Sequence, residues 1–248
     1  MTPVLKLAVI GDPVEHSASP ALHRAFLDTR SMVGTYEAIR VAAGDGARSI
    51  DDLRSRGYTG LNVTTPLKEE AFARADEHDA IAIATDAVNT LVLGPRIVGY
   101  NTDGIGTIGA LEDAGLLDPV GRRVLVLGAG PTARAAVAAL VAAAAATYVW
   151  NRTAAKAAAI ARGLEAHLWT AEEPPFDAVF ATLAPDAELD DPALCRAIFA
   201  TPIVVDANYA ERATFGKQIG RGDVRDGRAM LAASARASFE LFRASAMR

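Results

Sequence analysis

The amino-acid sequence predicts an α/β protein with parallel sheets, helices on both sheet faces, and two successive units. Three observations lead there. Short β-rich runs alternate with helical stretches from one end of the chain to the other. The turn segment Gly115-Leu-Leu-Asp-Pro-Val-Gly121 interrupts that alternation, and a fresh strand and a glycine-rich loop follow it. The chain has 248 residues, 51% of them hydrophobic and 22% charged, enough to bury one large core or two smaller ones.

Strands are expected at residues 6–10, 35–41, 60–63, 89–93, 97–100, 124–127, 147–150, 178–181 and 203–206. Helices are expected at 20–29, 45–56, 67–75, 103–114, 131–145, 154–162, 214–219 and 228–242. The first strand is an apolar run that stops at Gly11. Ser19 followed by Pro20 reads as an N-cap and first helical residue, and Pro66 reads as the opening of a later helix. A seam is expected along the helix that starts at Asp103, where a plain N-cap is one reading of the aspartate. The alanine-rich run 135–146 is too short for the roughly 20 residues of a membrane span and suits a helix packed closely on a sheet.

Composition narrows the function. A formal net charge of -5 leaves nothing to neutralise phosphates in bulk, so a nucleic-acid partner is not expected. Cys195 is the only cysteine, which excludes an internal disulfide and a cysteine metal cluster and is compatible with a reducing compartment. His16 and His23 lack clustered companions, so no metal is expected. No basic segment leads into a long apolar core and cleavage site. The expectation is a cytoplasmic protein with a small-molecule substrate and no membrane partner; monomer and homodimer stay equally open.

The most specific local signal is Gly128-Ala129-Gly130-Pro131-Thr132-Ala133, directly after the apolar run 124–127 and opening a helix. This is the G-x-G-x-x-A dinucleotide fingerprint of a Rossmann-like unit. Gly128 permits the tight turn, Gly130 lets backbone approach a pyrophosphate, and Ala133 lets helix and strand pack closely. Pro131 occupies an opening position that needs no N–H, and the helix N-terminus faces the anion. About 20 residues on, where an acid would bind a ribose 2′-hydroxyl, the chain has Asn151-Arg152-Thr153 and then Lys156. Arg152 suits a 2′-phosphate and Thr153 can donate to it, which favours NADP. A solvated basic turn with a cap at Thr153 is the other reading.

Two motifs lie earlier. Gly11-Asp-Pro-Val-Glu-His-Ser17-Ala-Ser19-Pro20 follows the first strand, where α/β proteins bind ligands, and its paired hydroxyls suit a carboxylate. Leu61-Asn-Val-Thr64-Thr-Pro66-Leu-Lys68 repeats the strand–loop–helix arrangement. A cation in a first helical turn opposes the dipole by roughly 0.3–1 kcal/mol, which favours a neutral amine able to exchange protons. Asp103 is its candidate partner.

Together these segments resemble the shikimate dehydrogenase family. The resemblance runs through Gly11-Asp-Pro, His16-Ser-Ala-Ser-Pro20, Asn62-Val-Thr-Thr-Pro-Leu-Lys68, Ala87-Val-Asn-Thr-Leu91, Asn101-Thr-Asp-Gly104, Gly128-Ala-Gly130, Asn151-Arg-Thr153, Tyr209, Gly227 with Met230-Leu231, and Ser238-Phe239. It implies two α/β domains around a cleft: a substrate domain of residues 1–104 and 227–248, with C-terminal helices returning to it, and an NADP domain of 105–226. It implies that Lys68 and Asp103 are the catalytic pair and that Ser17 and Ser19 hold the substrate carboxylate. Thr64, Asn89 and Tyr209 would line the ring, and Gly227 would approach the nicotinamide through its backbone. The implied reaction is NADP-linked interconversion of shikimate and 3-dehydroshikimate, on the route to chorismate and the aromatic amino acids.

Four departures stand out. Pro131 replaces a family glycine, Phe180 replaces the asparagine of Asn-Ala-Thr, and Ala210-Glu-Arg212 lacks the expected proline. Ser234 stands where the family places a glutamine against the substrate. That last change keeps open a relative acting on quinate or an aminoshikimate. A non-catalytic dinucleotide-binding regulator is the reading from another class, and retention of Lys68 and Asp103 argues against it.

Overall fold

In the computed structural model, which describes residues 4–172 and 175–247, the chain divides after Thr102 and again after Ala233. The chain up to Thr102 and the segment from Ser234 onward form one unit, and Asp103–Ala233 form the other.

The first unit carries β1 (Leu5–Gly11), α1 (Ser19–Thr29), β2 (Gly34–Arg40), α2 (Gly46–Ser55), β3 (Gly60–Val63), α3 (Lys68–Arg74), β4 (Glu77–His78), α4 (Ala80–Thr85), β5 (Thr90–Leu93) and β6 (Ile97–Tyr100). Its sheet order is β2-β1-β3-β5-β6-β4. β1 is parallel to β2 and β3, whereas β5 is antiparallel to both β3 and β6. The sheet is therefore mixed, not parallel throughout. The reason is local: only Gly94, Pro95 and Arg96 separate β5 from β6, and so short a link can join only antiparallel neighbours. Side chains of β1 alternate between two cores. Ala8 and Ile10 pack with Leu61, Leu91, Ile50 and Leu53, while Leu5, Leu7 and Val9 pack with Leu27, Tyr36, Phe239 and Phe242.

The second unit carries α5 (Asp103–Asp113), β7 (Arg123–Leu127), α6 (Pro131–Ala142), β8 (Ala146–Trp150), α7 (Ala154–Gly163), β9 (His167–Leu168), β10 (Ala178–Ala181), α8 (Pro192–Ala200), β11 (Ile203–Asp206) and α9 (Phe215–Gln218). Its sheet, ordered β11-β10-β7-β8-β9, is parallel throughout. Val124 and Val126 face one core with Leu140 and Phe180, and Leu125 and Leu127 face the other with Leu194 and Ile198. Burial on both faces is why these strands read as unbroken apolar runs.

α6 ends at Ala142, earlier than the alanine run suggested. Ala144 takes a left-handed φ of 57°. Its N–H donates to Val141 O at 2.9 Å, and that of Ala145 donates to Leu140 O at 3.0 Å. These are the two bonds of a Schellman ending. The final helix, α10 (Arg228–Ala246), is shared: Met230 packs in the second unit's core, and Phe239 and Phe242 pack in the first's.

In each sheet the first strand lies between the next two it pairs with, β1 between β2 and β3 and β7 between β8 and β10. The carboxyl ends of β1 and β7 are thus topological switch points, where open α/β sheets bind ligands.

Candidate active site

Ser17 and Ser19 follow the switch point of β1. Ser19 is not the N-cap expected from the sequence: Ala18 holds that position, and Ser19 is already helical. The local hydroxyl–amide bond comes from Ser17, whose Oγ accepts from the Ser19 N–H at 3.3 Å. Ser19 is buried, and its hydroxyl bonds the Tyr36 phenol. Burial pushes that phenol well above its usual range, and the bond from Ser19 opposes the shift.

From Tyr36 a chain of hydrogen bonds runs inward. Tyr36 Oη donates to Asn62 Oδ1 at 2.8 Å. Asn62 Nδ2 donates to Thr90 Oγ1 at 3.2 Å, and Thr90 Oγ1 donates to Asn89 Oδ1 at 2.9 Å. A second branch reaches the same oxygen: Thr102 donates to Asn89 Oδ1 from its N–H at 2.9 Å and from its hydroxyl at 3.1 Å. Ser234 Oγ lies 2.8 Å from Thr102 Oγ1. The structure therefore links three of the expected substrate residues, Ser19, Asn89 and Ser234, through four that were not assigned that role. Asn62, Thr90 and Thr102 lay within the quoted motifs. For Tyr36, an aromatic in a strand, the sequence carries no such signal.

Thr64 follows β3, with its N–H on Ile10 O at 2.9 Å and its carbonyl accepting from Leu67 N at 3.0 Å. Pro66 does not open the next helix. It follows a cis peptide, Leu67 is the N-cap, and Lys68 is the first residue of α3. Lys68 is only 9% exposed, and its carbonyl accepts from Val88 N at 2.9 Å. Glu69 and Glu70 share its helical turn, where carboxylates suit the dipole.

In the second unit Asp103 is 7% exposed at the start of α5. Thr132, assigned from sequence to the dinucleotide loop, donates its hydroxyl to Asp103 Oδ2 at 3.4 Å. Gly128 has a φ of 122°, and a side chain there would collide with Thr182, whose hydroxyl donates to Leu127 O at 2.9 Å. Gly130 is the extended N-cap of α6, Pro131 follows as its first residue, and the space where a Gly130 Cβ would sit is open. Ala129 lines this turn, half-buried. Open backbone N–H groups at a twelve-residue helix fit a pyrophosphate.

After β8, Asn151 Nδ2 donates to Thr153 O at 3.1 Å, folding the basic turn. Thr153 is the N-cap of α7, yet its side chain makes no capping bond. Arg152 and Lys156 are exposed and, among the described residues, neither has a hydrogen-bond or ion-pair partner. These groups fit a 2′-phosphate: two cations and a hydroxyl on one short turn, with no acid beside them.

Tyr209 is half-buried, after β11. Its loop is organised by Asp206, which the sequence did not mark. Asp206 Oδ1 accepts from Asn208 N and Nδ2, both at 2.9 Å, and Oδ2 accepts from Phe215 N at 3.2 Å. Burial raises the Asp206 pKa, and those donors oppose the shift. Gly227 donates to Asn208 O at 2.8 Å, and a Cβ there would strike Ala207 and Asn208 backbone. Packing against its own chain thus already requires glycine.

Residues 9–91 match the family described as shikimate dehydrogenase substrate binding domain, and residues 115–181 match shikimate / quinate 5-dehydrogenase. The shikimate 5-dehydrogenase of Thermus thermophilus, solved in complex with NADP(H) and shikimate, is 32% identical at a TM-score of 0.83. The match covers 97% of this chain and 94% of that one. The chain belongs to the shikimate dehydrogenase family. An Ael1 enzyme from Pseudomonas putida superposes at a TM-score of 0.86 with 29% identity, covering 97% of this chain and 93% of that one. Among curated members of the shikimate dehydrogenase family, the shikimate dehydrogenase (NADP(+)) of Methanococcoides burtonii is 42% identical over 146 residues, 59% of this chain and 54% of that protein. The chain spans about half the length of the curated relatives it matches. Among the described residues no helix is long and apolar enough to cross a membrane.

Proposed function

We propose that this chain is an NADP-dependent oxidoreductase that interconverts shikimate and 3-dehydroshikimate. The observation that carries the reading is similarity over nearly the whole chain to an enzyme solved with NADP(H) and shikimate, together with Lys68, Asp103 and the acid-free turn at Arg152.

Bound NADP would supply the hydride acceptor for oxidation of the ring C3 hydroxyl. The chain's own residues do the rest. Gly128, Ala129, Gly130, Pro131 and Thr132 form the turn and helix start that hold the pyrophosphate. Asn151, Arg152, Thr153 and Lys156 take the 2′-phosphate, and Gly227 borders the nicotinamide site. Ser17 and Ser19 take the ring carboxylate, while Thr64, Asn89, Tyr209 and Ser234 surround the ring. As the C3 carbon loses its hydride, Lys68 accepts the hydroxyl proton, and Asp103 balances the charge that the amine acquires. In the reductive direction the same lysine returns the proton to the nascent alkoxide, so one residue serves both directions.

The same reading has the enzyme acting on a free small molecule in the cytoplasm. Ser234 favours a second reading, in which quinate or an aminoshikimate is the preferred acid. The test is the absorbance of NADPH formed with shikimate, then with quinate. Formation with shikimate at the higher kcat/KM is expected. A wide preference for quinate overturns the substrate, and no reduction with either acid overturns the activity.

A further inference from the structure

Proton bookkeeping around Asn89 assigns Ser234 a task different from that of the glutamine it replaces. The Thr102 N–H points at one terminal atom of the Asn89 carboxamide from 2.9 Å. A backbone N–H can only donate, so that atom is the oxygen. The Thr102 and Thr90 hydroxyls, at 3.1 and 2.9 Å, must then also donate to it. Each hydroxyl has a single hydrogen. With that of Thr102 spent on Asn89, the 2.8 Å contact between Thr102 and Ser234 can be made only by the Ser234 hydrogen.

We propose that Ser234 is a positioning residue: it holds the Asn89 carboxamide in register through Thr102 and has no hydrogen left to donate to a ligand. A glutamine can offer two amide hydrogens directly. Ser234 offers outward only lone pairs and so replaces neither of them. The other branch is ordered in the same sense: Tyr36 donates to Asn62, Asn62 to Thr90 and Thr90 to Asn89. Asn89 Oδ1 is therefore where two ordered hydroxyl chains converge, and removing an outer link loosens the carboxamide they fix.

The ligand arm of this inference rests on the proposed substrate, and the spectroscopic arm does not. In the ligand-free protein, Ser234→Ala should shift the Asn89 side-chain amide signals in a ¹H–¹⁵N spectrum, with Asn89→Ala identifying them, and Ser234→Thr should leave them near the parent positions. Unmoved signals in Ser234→Ala overturn the proposal whatever the enzyme oxidises. For shikimate binding measured by titration, Ser234→Ala should raise Kd by about fivefold, the scale of one hydrogen bond. Ser234→Thr should restore it. In an Asn89→Ala background the same Ser234→Ala change should add nothing. If the two losses instead multiply, Ser234 acts on the ligand directly and the proposal is wrong. A parent protein that neither binds nor oxidises shikimate sinks the proposed function, and the amide signals still decide the role of Ser234.

Discussion

Arg152 and Lys68 separate the two halves of the proposed chemistry at the scale of single residues. Arg152 is exposed and without an internal partner among the described residues, so Arg152→Ala removes little that the fold uses. It should raise KM for NADP by about tenfold or more and leave KM for NAD nearly unchanged, since only NADP carries the phosphate. Equal losses for the two cofactors would refute the phosphate clamp. Lys68 is buried, and Lys68→Met keeps its length without its proton. Turnover should fall at least about 10²-fold while cofactor affinity, measured by titration, survives. Asp103→Asn should also be slow, and the double variant should be far from multiplicative if the two act as a unit. The sequence marks these residues because each motif ends a strand or opens a helix. It misplaced the start of helix α1 by one residue, since a Ser-Pro pair is as good inside the first turn as just before it. It did not mark Tyr36, whose partner Asn62 lies far along the chain, or Asp206, whose bonds form only once its own loop folds back on it.

Whole elements were legible where periodicity and flanking residues agreed, and illegible where length or composition hid them. Strands β3, β6, β10 and β11 begin and end where the apolar runs do. The two-residue strands β4 and β9 carry no pattern that a short window can register. Within the alanine run nothing distinguishes helix from exit, so the end of α6 was invisible until the backbone reversed at Ala144. That reversal gives a prediction. An L-residue in the left-handed region costs roughly 1–2 kcal/mol, and glycine avoids it while losing somewhat more unfolded-chain entropy. Ala144 is exposed, so Ala144→Gly forfeits no packing. It should stabilise the protein by about 0.5–1 kcal/mol, or roughly 1–2 °C in Tm. A lower Tm in calorimetry would contradict the assigned helix ending.

Across the whole molecule, stability should depend on acid through a residue outside the proposed chemistry. His23 is buried, stacked on Tyr36 at 4.3 Å, and bordered by Phe26, Phe239 and Phe242. Neither ring nitrogen has a partner among the described residues. Burial lowers its pKa from 6.5 to about 3. The unfolded chain therefore takes up a proton first as pH falls below 6.5, and the folded state resists until about 3. Within that window the residue should remove stability at a slope approaching about 1.4 kcal/mol per pH unit, and above it should contribute no pH dependence. Urea unfolding at pH 7, 5 and 4 should show the parent losing stability faster than His23→Leu. Parallel losses would mean that other groups control the acid limb.

The shared helix α10 also sets an order of events during synthesis. A nascent chain that has reached Thr102 already contains all six strands of the first sheet, yet lacks Phe239 and Phe242. The intervening stretch, Asp103–Ala233, is contiguous and holds everything its own unit needs. At about 5–20 residues per second, a ribosome leaves Leu5, Leu7 and Leu27 without those two rings for on the order of ten seconds. The half of the protein that is made first is thus completed last.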